Sequence, residues 1–304
     1  MVYTSRFDNG FNPLAFYRRR LLRIYPIYWF CITLYLAAGW LVDQPYELDM
    51  SEFVGALLLL PANAATIIGP AWTLAYEMFF YLAFGLAMTA GLNRGMITLS
   101  IAFFALIVSG IFVEIENSAW HLMSNALLGE FLAGAAIGWL YVRGLLPKRW
   151  GKHLIFISCI LFLAGIALGY DRVPSVVAWA LPSTLLIAGA IIIESTRGPA
   201  RIIRKLGHFG DSSYALYLIH IVVITFFIAL AHQYPLLTRI EPAIMTIPIA
   251  IVALLLAEFL HHGIERPFLQ LVNPHRPLIP VDAETKRHSA LECLIPAEKG
   301  KTNE

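Results

Sequence analysis

The side chains of this sequence best suited to chemistry are one carboxylate and one group of arginines, each set in an apolar surrounding. Glu77 lies within PAWTLAYEMFFY, residues 70–81. Thr73, Glu77 and Tyr81 follow at intervals of four, so on a helix they form one polar stripe among apolar neighbours. An ionisable group turned toward lipid costs several kcal/mol (~2.5–3.5 kcal/mol on insertion scales), so the stripe must face protein or water. The second stretch, FYRRRLLRIYPIYW at residues 16–29, carries Arg18, Arg19, Arg20 and Arg23. Arg20 and Arg23 share a helix face, and Arg19 stands four before Arg23. Guanidinium groups pair with phosphate oxygens, which makes this fork a candidate site for a polyphosphorylated donor. The plainer alternative is that basic residues beside a membrane helix fix its orientation and touch anionic lipid. For Glu77 the plainer alternative is a hydrogen bond to a neighbouring helix.

The elements that must hold these residues are membrane helices. The chain is 59% hydrophobic and 14% charged over 304 residues, with a mean hydropathy of +0.69. That balance excludes a soluble domain, and several apolar runs reach the length that spans a bilayer. The sequence therefore predicts an all-α, polytopic integral membrane helix bundle. Its eight helices fall at about 24–42, 72–91, 98–115, 122–142, 153–170, 175–194, 212–232 and 242–262. Three parts follow: a basic N-terminal segment over 1–23, a membrane domain over 24–268, and a polar, disordered tail over 269–304. Residues 1–20 carry no apolar core of a cleavable signal.

A ninth apolar run, residues 53–68, is short, holds Pro61 and Asn63, and leads straight into Gly69-Pro70. The charges decide its course. If it does not cross and the N-terminus is cytoplasmic, all but Arg172 and Arg239 of the 22 basic residues lie inside, as the positive-inside rule asks. Residues 43–71 are therefore expected to be an outer loop with a short helix or re-entrant piece. Both termini are then cytoplasmic. On that reading the arginine fork lies at the cytoplasmic surface, Trp72 and Glu77 lie near the outer end of the next helix, and the two features face opposite compartments. Pro26 falls early in its helix, where proline is tolerated. The basic run at 197–205 returns to the face of the fork.

Other polar groups give weaker signals. Glu130 lies within an apolar helix and suits a cross-bundle bond as well as a site. Glu258, His261 and His262 sit at a helix end, where solvation accounts for them. Tyr214 and Tyr217 suit structural roles, and His220 stays unassigned. Cys31, Cys159 and Cys293 give neither a disulfide pattern nor metal-ligand spacing. No phosphate loop, internal repeat, metal signature or nucleic-acid signal is found.

The arginine fork, the Trp72-Thr73-Leu74 and Glu77 stretch, GDSSYALYLIH (210–220) and IERPF (264–268) together resemble the membrane-bound acyltransferase 3 family, over roughly residues 6–268. They are most similar to its exopolysaccharide-acetylating branch. The resemblance implies an O-acyltransferase of a bacterial inner membrane, with acetyl-coenzyme A as donor and a hydroxyl of an exported or lipid-linked carbohydrate as acceptor. It implies that Arg20 and Arg23, with Arg19, engage the donor, and that Glu77, Trp72 and Thr73 belong to the active site. No metal is expected, and the sequence shows no appended extracellular domain, so a partner enzyme is expected to be a separate chain. In similar proteins two further helices precede the fork, making ten, and the first carries the histidine taken as general base. Here Met1 stands seventeen residues before Arg18, the first arginine of the fork. The expectation is either a start placed too far downstream or a chain made this way, inactive or using another base. The rival classes are a transporter or flippase, whose pathways are also lined by buried acids and broken helices, and a non-catalytic membrane scaffold.

Overall fold

The computed structural model of the chain describes residues 11–41, 49–169, 172–174, 176–198, 207, 210–234 and 241–272. The cluster Arg201, Arg204 and Lys205 and the tail beyond residue 272 lie outside these. Among the described residues the regular elements are all helical. In chain order they are α1 (Pro13–Leu41), α2 (Met50–Leu57), α3 (Trp72–Met88), α4 (Leu92–Phe112), α5 (Ser118–Met123) and α6 (Leu127–Val142). These are followed by α7 (Gly151–Leu168), α8 (Leu181–Arg197), α9 (Ser213–Gln233), α10 (Pro242–Leu260) and α11 (Arg266–Val272). A π-helical turn, Val176–Ala180, leads into α8, and another, His261–Glu265, joins α10 to α11. Eight helical segments among the described residues are long and apolar enough to cross a bilayer. The chain is a polytopic helical membrane protein, and its outward side chains are apolar, Phe112 and Phe259 among them.

The first helix starts eleven residues before the predicted position. Asn12 caps it, its side chain accepting from the Ala15 amide at 3.0 Å, and Pro13 follows at the first helical position, where its missing N–H costs nothing. The apolar run that locates a span by hydropathy begins only after the arginines, so that signal cannot see the first three turns. At 1.5 Å per residue the extra length is roughly 16 Å, and it draws the fork inside the helix. Pro26 thus sits in the middle of α1, not near its start. Close to it the neighbouring helix is tied on: Tyr214 donates to the Ile24 carbonyl at 2.9 Å. The predicted helix over 122–142 is divided into α5 and α6, because Asn117 caps one and Asn125 accepts from the Leu127 amide at the start of the other.

Residues 50–71 do not cross; they enter the bundle and turn. Asp49 caps α2, and its other end closes with the Leu59 amide on Ala56 and the Leu60 amide on Gly55, a Schellman arrangement. Leu59 takes the left-handed conformation this requires (φ 56°), unusual for a bulky residue. α1 supplies further donors to the carbonyls of this end. Tyr28 donates to Ala56 at 2.8 Å, the Trp29 indole to Leu57 at 3.0 Å and Tyr25 to Leu58 at 3.1 Å. These are the partners a helix end needs at a depth where water is scarce. Ala56, Ile67, Ile68 and Ala71 are buried in the main core with Tyr28 and Cys31 of α1, Leu74 of α3, Leu218 of α9 and Ala257 of α10. The short helix expected in this segment is α2. Tyr28→Phe should remove one buried hydrogen bond while the Leu59 amide still serves the Ala56 carbonyl, costing about 0.5–1.5 kcal/mol; a lower thermal unfolding midpoint of the detergent-solubilised protein reads it.

A second cluster, Leu99, Phe103 and Leu128, knits α3, α4 and α6. The α7–α8 hairpin closes where Gly151 and Gly189 bring the backbones together, and the Ser158 hydroxyl donates to the Pro182 carbonyl at 2.7 Å.

Candidate active site

Because residues 50–71 turn back, α3 begins beside the middle of α1 rather than at the end of the bundle. The antiparallel register of the two helices is set by Phe16 against Phe84, the Tyr17 hydroxyl donating to Leu82 at 2.9 Å, and Arg20 against Tyr81. Gly85 lets Tyr17 lie flat on α3, since a Cβ there would fall 2.5 Å from the ring. The same register continued brings Glu77 level with Ile24. In agreement, Tyr214, which bonds the Ile24 carbonyl, is an electrostatic neighbour of Glu77.

The result is a direct chain between the two features. The Arg20 guanidinium lies over the Tyr81 ring, 4.6 Å from its centroid, and near the Phe16 ring at 5.4 Å. Its Nη1 donates to the Tyr81 hydroxyl at 3.4 Å, and that hydroxyl donates to a carboxylate oxygen of Glu77. Arg23, on the exposed side of α1, is also an electrostatic neighbour of Tyr81. The expectation that the fork and the acid face opposite compartments is therefore corrected. Two shifts cause it: α1 starts earlier, and α3 starts deeper.

The stripe on α3 behaves as a polar seam between neighbours. Thr73 shares a hydrogen bond with the Tyr217 hydroxyl of α9, and both reach the Pro70 carbonyl. Tyr81 serves α1, and Glu77 lies between. Trp72 opens α3, partly exposed and edge-on to Tyr76 at 5.7 Å. His220 places Nδ1 3.2 Å from the Leu216 carbonyl and its ring 6.2 Å from that of Tyr217, the i−4 pairing of a packing residue.

The two late motifs are each tied to the C-terminal end of α10 and the turn after it. Ser212 of the first donates to Glu258 at 2.6 Å. Glu265 of the second is buried and lies 2.9 Å from His261 Nδ1. His262 Nδ1 lies 3.4 Å from a Glu258 oxygen. The two histidine–glutamate pairs stand at the i, i+4 spacing of a helix, whereas the Ser212–Glu258 pair could not be read from the sequence, because its partners lie 46 residues apart.

Two cavities meet at Arg20 and Tyr81, which line both. The larger, about 510 Å³, lies among α1, α3, α4 and α6 and includes Glu130. The smaller, about 400 Å³, lies among α1, α3, α5 and the re-entrant residues Leu59 and Pro61, with nearly no polar wall. Glu130, which suits a cross-bundle bond as well as a site, lines the same cavity as Arg20. Among the described residues no group of three metal-ligating side chains converges.

This geometry defines a membrane-embedded helix bundle with a cation, a phenol and a carboxylate joined inside it. The chain matches the acyltransferase domain family over residues 4–261 and belongs to that family. It is 26% identical over 225 residues, 70% of this chain and 69% of the other, to "Exopolysaccharide production protein ExoZ" of Rhizobium meliloti (strain 1021). No solved structure matches it.

Proposed function

We propose that this membrane acyltransferase moves an acyl group, acetyl in the first instance, from acyl-coenzyme A to a hydroxyl of an exported carbohydrate at the bacterial inner membrane. The observation that carries the proposal is the Arg20–Tyr81–Glu77 chain on the wall shared by two cavities. It supplies a cation for an anionic donor and a carboxylate for a hydroxyl at one place within the membrane. The similarity to a protein named for exopolysaccharide production supports a carbohydrate acceptor.

With the positive-inside orientation, the donor enters at the α1 N-terminal end. Its phosphates rest on Arg19, Arg20 and Arg23, by the paired contacts guanidinium makes with phosphate oxygens. The acceptor comes from the other side, past the re-entrant connection and Trp72, and Glu77 and Thr73 orient its hydroxyl. The hydroxyl oxygen attacks the thioester carbonyl, the C–O bond forms and the C–S bond breaks. The hydroxyl proton passes through a general base and ends on the departing coenzyme A sulfur. A base with a pKa near the working pH serves this step best. Donor and acceptor thus come from opposite compartments and meet in the half of the bundle that holds the fork.

The test is the double substitution Arg20→Ala/Arg23→Ala in membranes. Acetyl-coenzyme A affinity should fall at least tenfold, consistent with losing two charge-assisted contacts of about 1.5 kcal/mol or more each. Unchanged affinity with normal insertion removes the fork from the donor site. A second arm measures ester-linked acetate on the polysaccharide with and without the protein; transport of sugar without esterification would favour the transporter class.

A further inference from the structure

The acyl group itself needs a place once the donor's phosphates lie on the fork, and the larger cavity has the position, size and walls for it. Resting on the donor reading above, we propose that the cavity among α1, α3, α4 and α6 receives the acyl chain and that Gly138 and Gly134 set how long a chain it accepts. The cavity opens directly off Tyr81, whose hydroxyl bonds Glu77, so it adjoins the place where the acyl group is to be transferred. Its volume of about 510 Å³ falls among pockets that hold whole small molecules, far beyond what a two-carbon group fills. Most of its wall is carbon, Phe80, Phe84, Met96 and Phe131 among it. Such a surface gains from each methylene it covers.

The depth of the cavity comes from α6. Gly134 and Gly138 stand one turn apart on its lining face, and a Cβ added at either would meet nothing within 4 Å. Gly134 is exposed and Gly138 partly buried, so a side chain at either would stand at the open side of the cavity without displacing a neighbour. The bundle's close-contact glycines, Gly85 and Gly95, are of the opposite kind, each with an atom within 2.6 Å of the added Cβ. The smaller cavity also touches Arg20 and Tyr81, but Leu59, Pro61, Ala119 and Leu122 line it, which puts it beside the connection between α1 and α3, where the acceptor is expected. The chain is thus assigned to one side of the Arg20–Tyr81 wall.

Two measurements on the full-length protein test this without requiring turnover. In the first, binding of coenzyme A and of acetyl-, propionyl- and butyryl-coenzyme A is measured by competition. Affinity should rise by about fourfold per added methylene, or about fifteenfold from acetyl to butyryl. Gly138→Leu should bring the butyryl-to-acetyl ratio to near one, and Gly138→Ala should lower it in part, which keeps the test open if the larger side chain impairs folding. In the second, an octanoyl-coenzyme A with a terminal diazirine should label peptides of α4 or α6. Length-independent affinity in the native protein, a ratio unmoved by both substitutions, or labelling in α5 or at residues 59–61 overturns the pocket while coenzyme A binding still upholds the donor site. No binding of coenzyme A or any acyl form overturns the donor reading and the pocket with it.

Discussion

Glu77→Gln is expected to lower carbohydrate acylation by about 10²–10⁴-fold, the range that a positioned acid–base group contributes, while changing acetyl-coenzyme A affinity less than threefold. The choice of glutamine matters. Its amide oxygen can still accept from the Tyr81 hydroxyl as the carboxylate does, so the link from α3 to α1 is kept and only the charge is lost. A carboxylate serving purely as a structural acceptor would be replaced with little effect. A structural role would also show in the unfolding midpoint, which Glu77→Gln should leave nearly unchanged. Tyr81→Phe makes the complementary change: it breaks the chain between Arg20 and Glu77 but keeps the ring on which the guanidinium rests. Acylation should fall by a smaller factor, about tenfold or more, near the value of one hydrogen bond to a charged group. Rates are read as ester-linked acetate formed per unit of membrane-inserted protein. Equal rates for the native protein and Glu77→Gln would remove the carboxylate from the chemistry.

The residues of this chain were legible where chemistry and periodicity agree. The stripe Thr73, Glu77 and Tyr81 is visible because three polar side chains at a helical interval in an apolar run must share a face, and the structure joins all three to neighbouring residues. The eight spans were visible because length and hydropathy are nearly sufficient for a membrane helix. The course of residues 53–68 was legible from charge, since only a segment that does not cross leaves nearly all basic residues on one side. What was not legible was depth. Hydropathy dates the start of α1 from its apolar run, whereas Asn12 and Pro13 start the helix before the arginines. Nor does any local signal tell how far a re-entrant segment penetrates. That depends on Tyr25, Tyr28 and Trp29 finding three carbonyls about 30 residues later. Those two unseen displacements add, and together they turn a supposed separation of Arg20 from Glu77 into a contact through one hydroxyl. Pairings such as Ser212 with Glu258 were hidden for the same reason: they are long-range and carry no spacing in sequence.

Gly95→Val is expected to have the largest effect on stability of any glycine substitution in the bundle, with a cost of about 1–3 kcal/mol or more from overpacking. Gly95 is buried in the second turn of α4, against the last turn of α3. A Cβ added there would lie 2.6 Å from the Ala87 carbonyl oxygen and 3.1 Å from the Met88 Cα. These are backbone atoms of a helix, so no rotamer change can clear the clash and the two helices must move apart. At Gly85 the obstacle is the ring end of Tyr17, which can swing away, and a smaller loss is expected. Gly129→Ala is the control, because its added Cβ meets open space within 4 Å, and the midpoint should not fall. Gly95→Ala should lie between the two extremes. The consequence reaches the site because α3 is held against α4 by Phe79 stacked on Phe103, 6.0 Å apart and 12° from parallel. Forcing the helices apart at Gly95 tilts α3 and carries Tyr81 away from Arg20. Acylation should therefore drop more steeply than the amount of folded protein, as assayed by thermal unfolding in detergent beside ester-linked acetate. Equal losses in the two assays would mean that the Arg20–Tyr81 contact tolerates movement of α3 and does not position the chemistry.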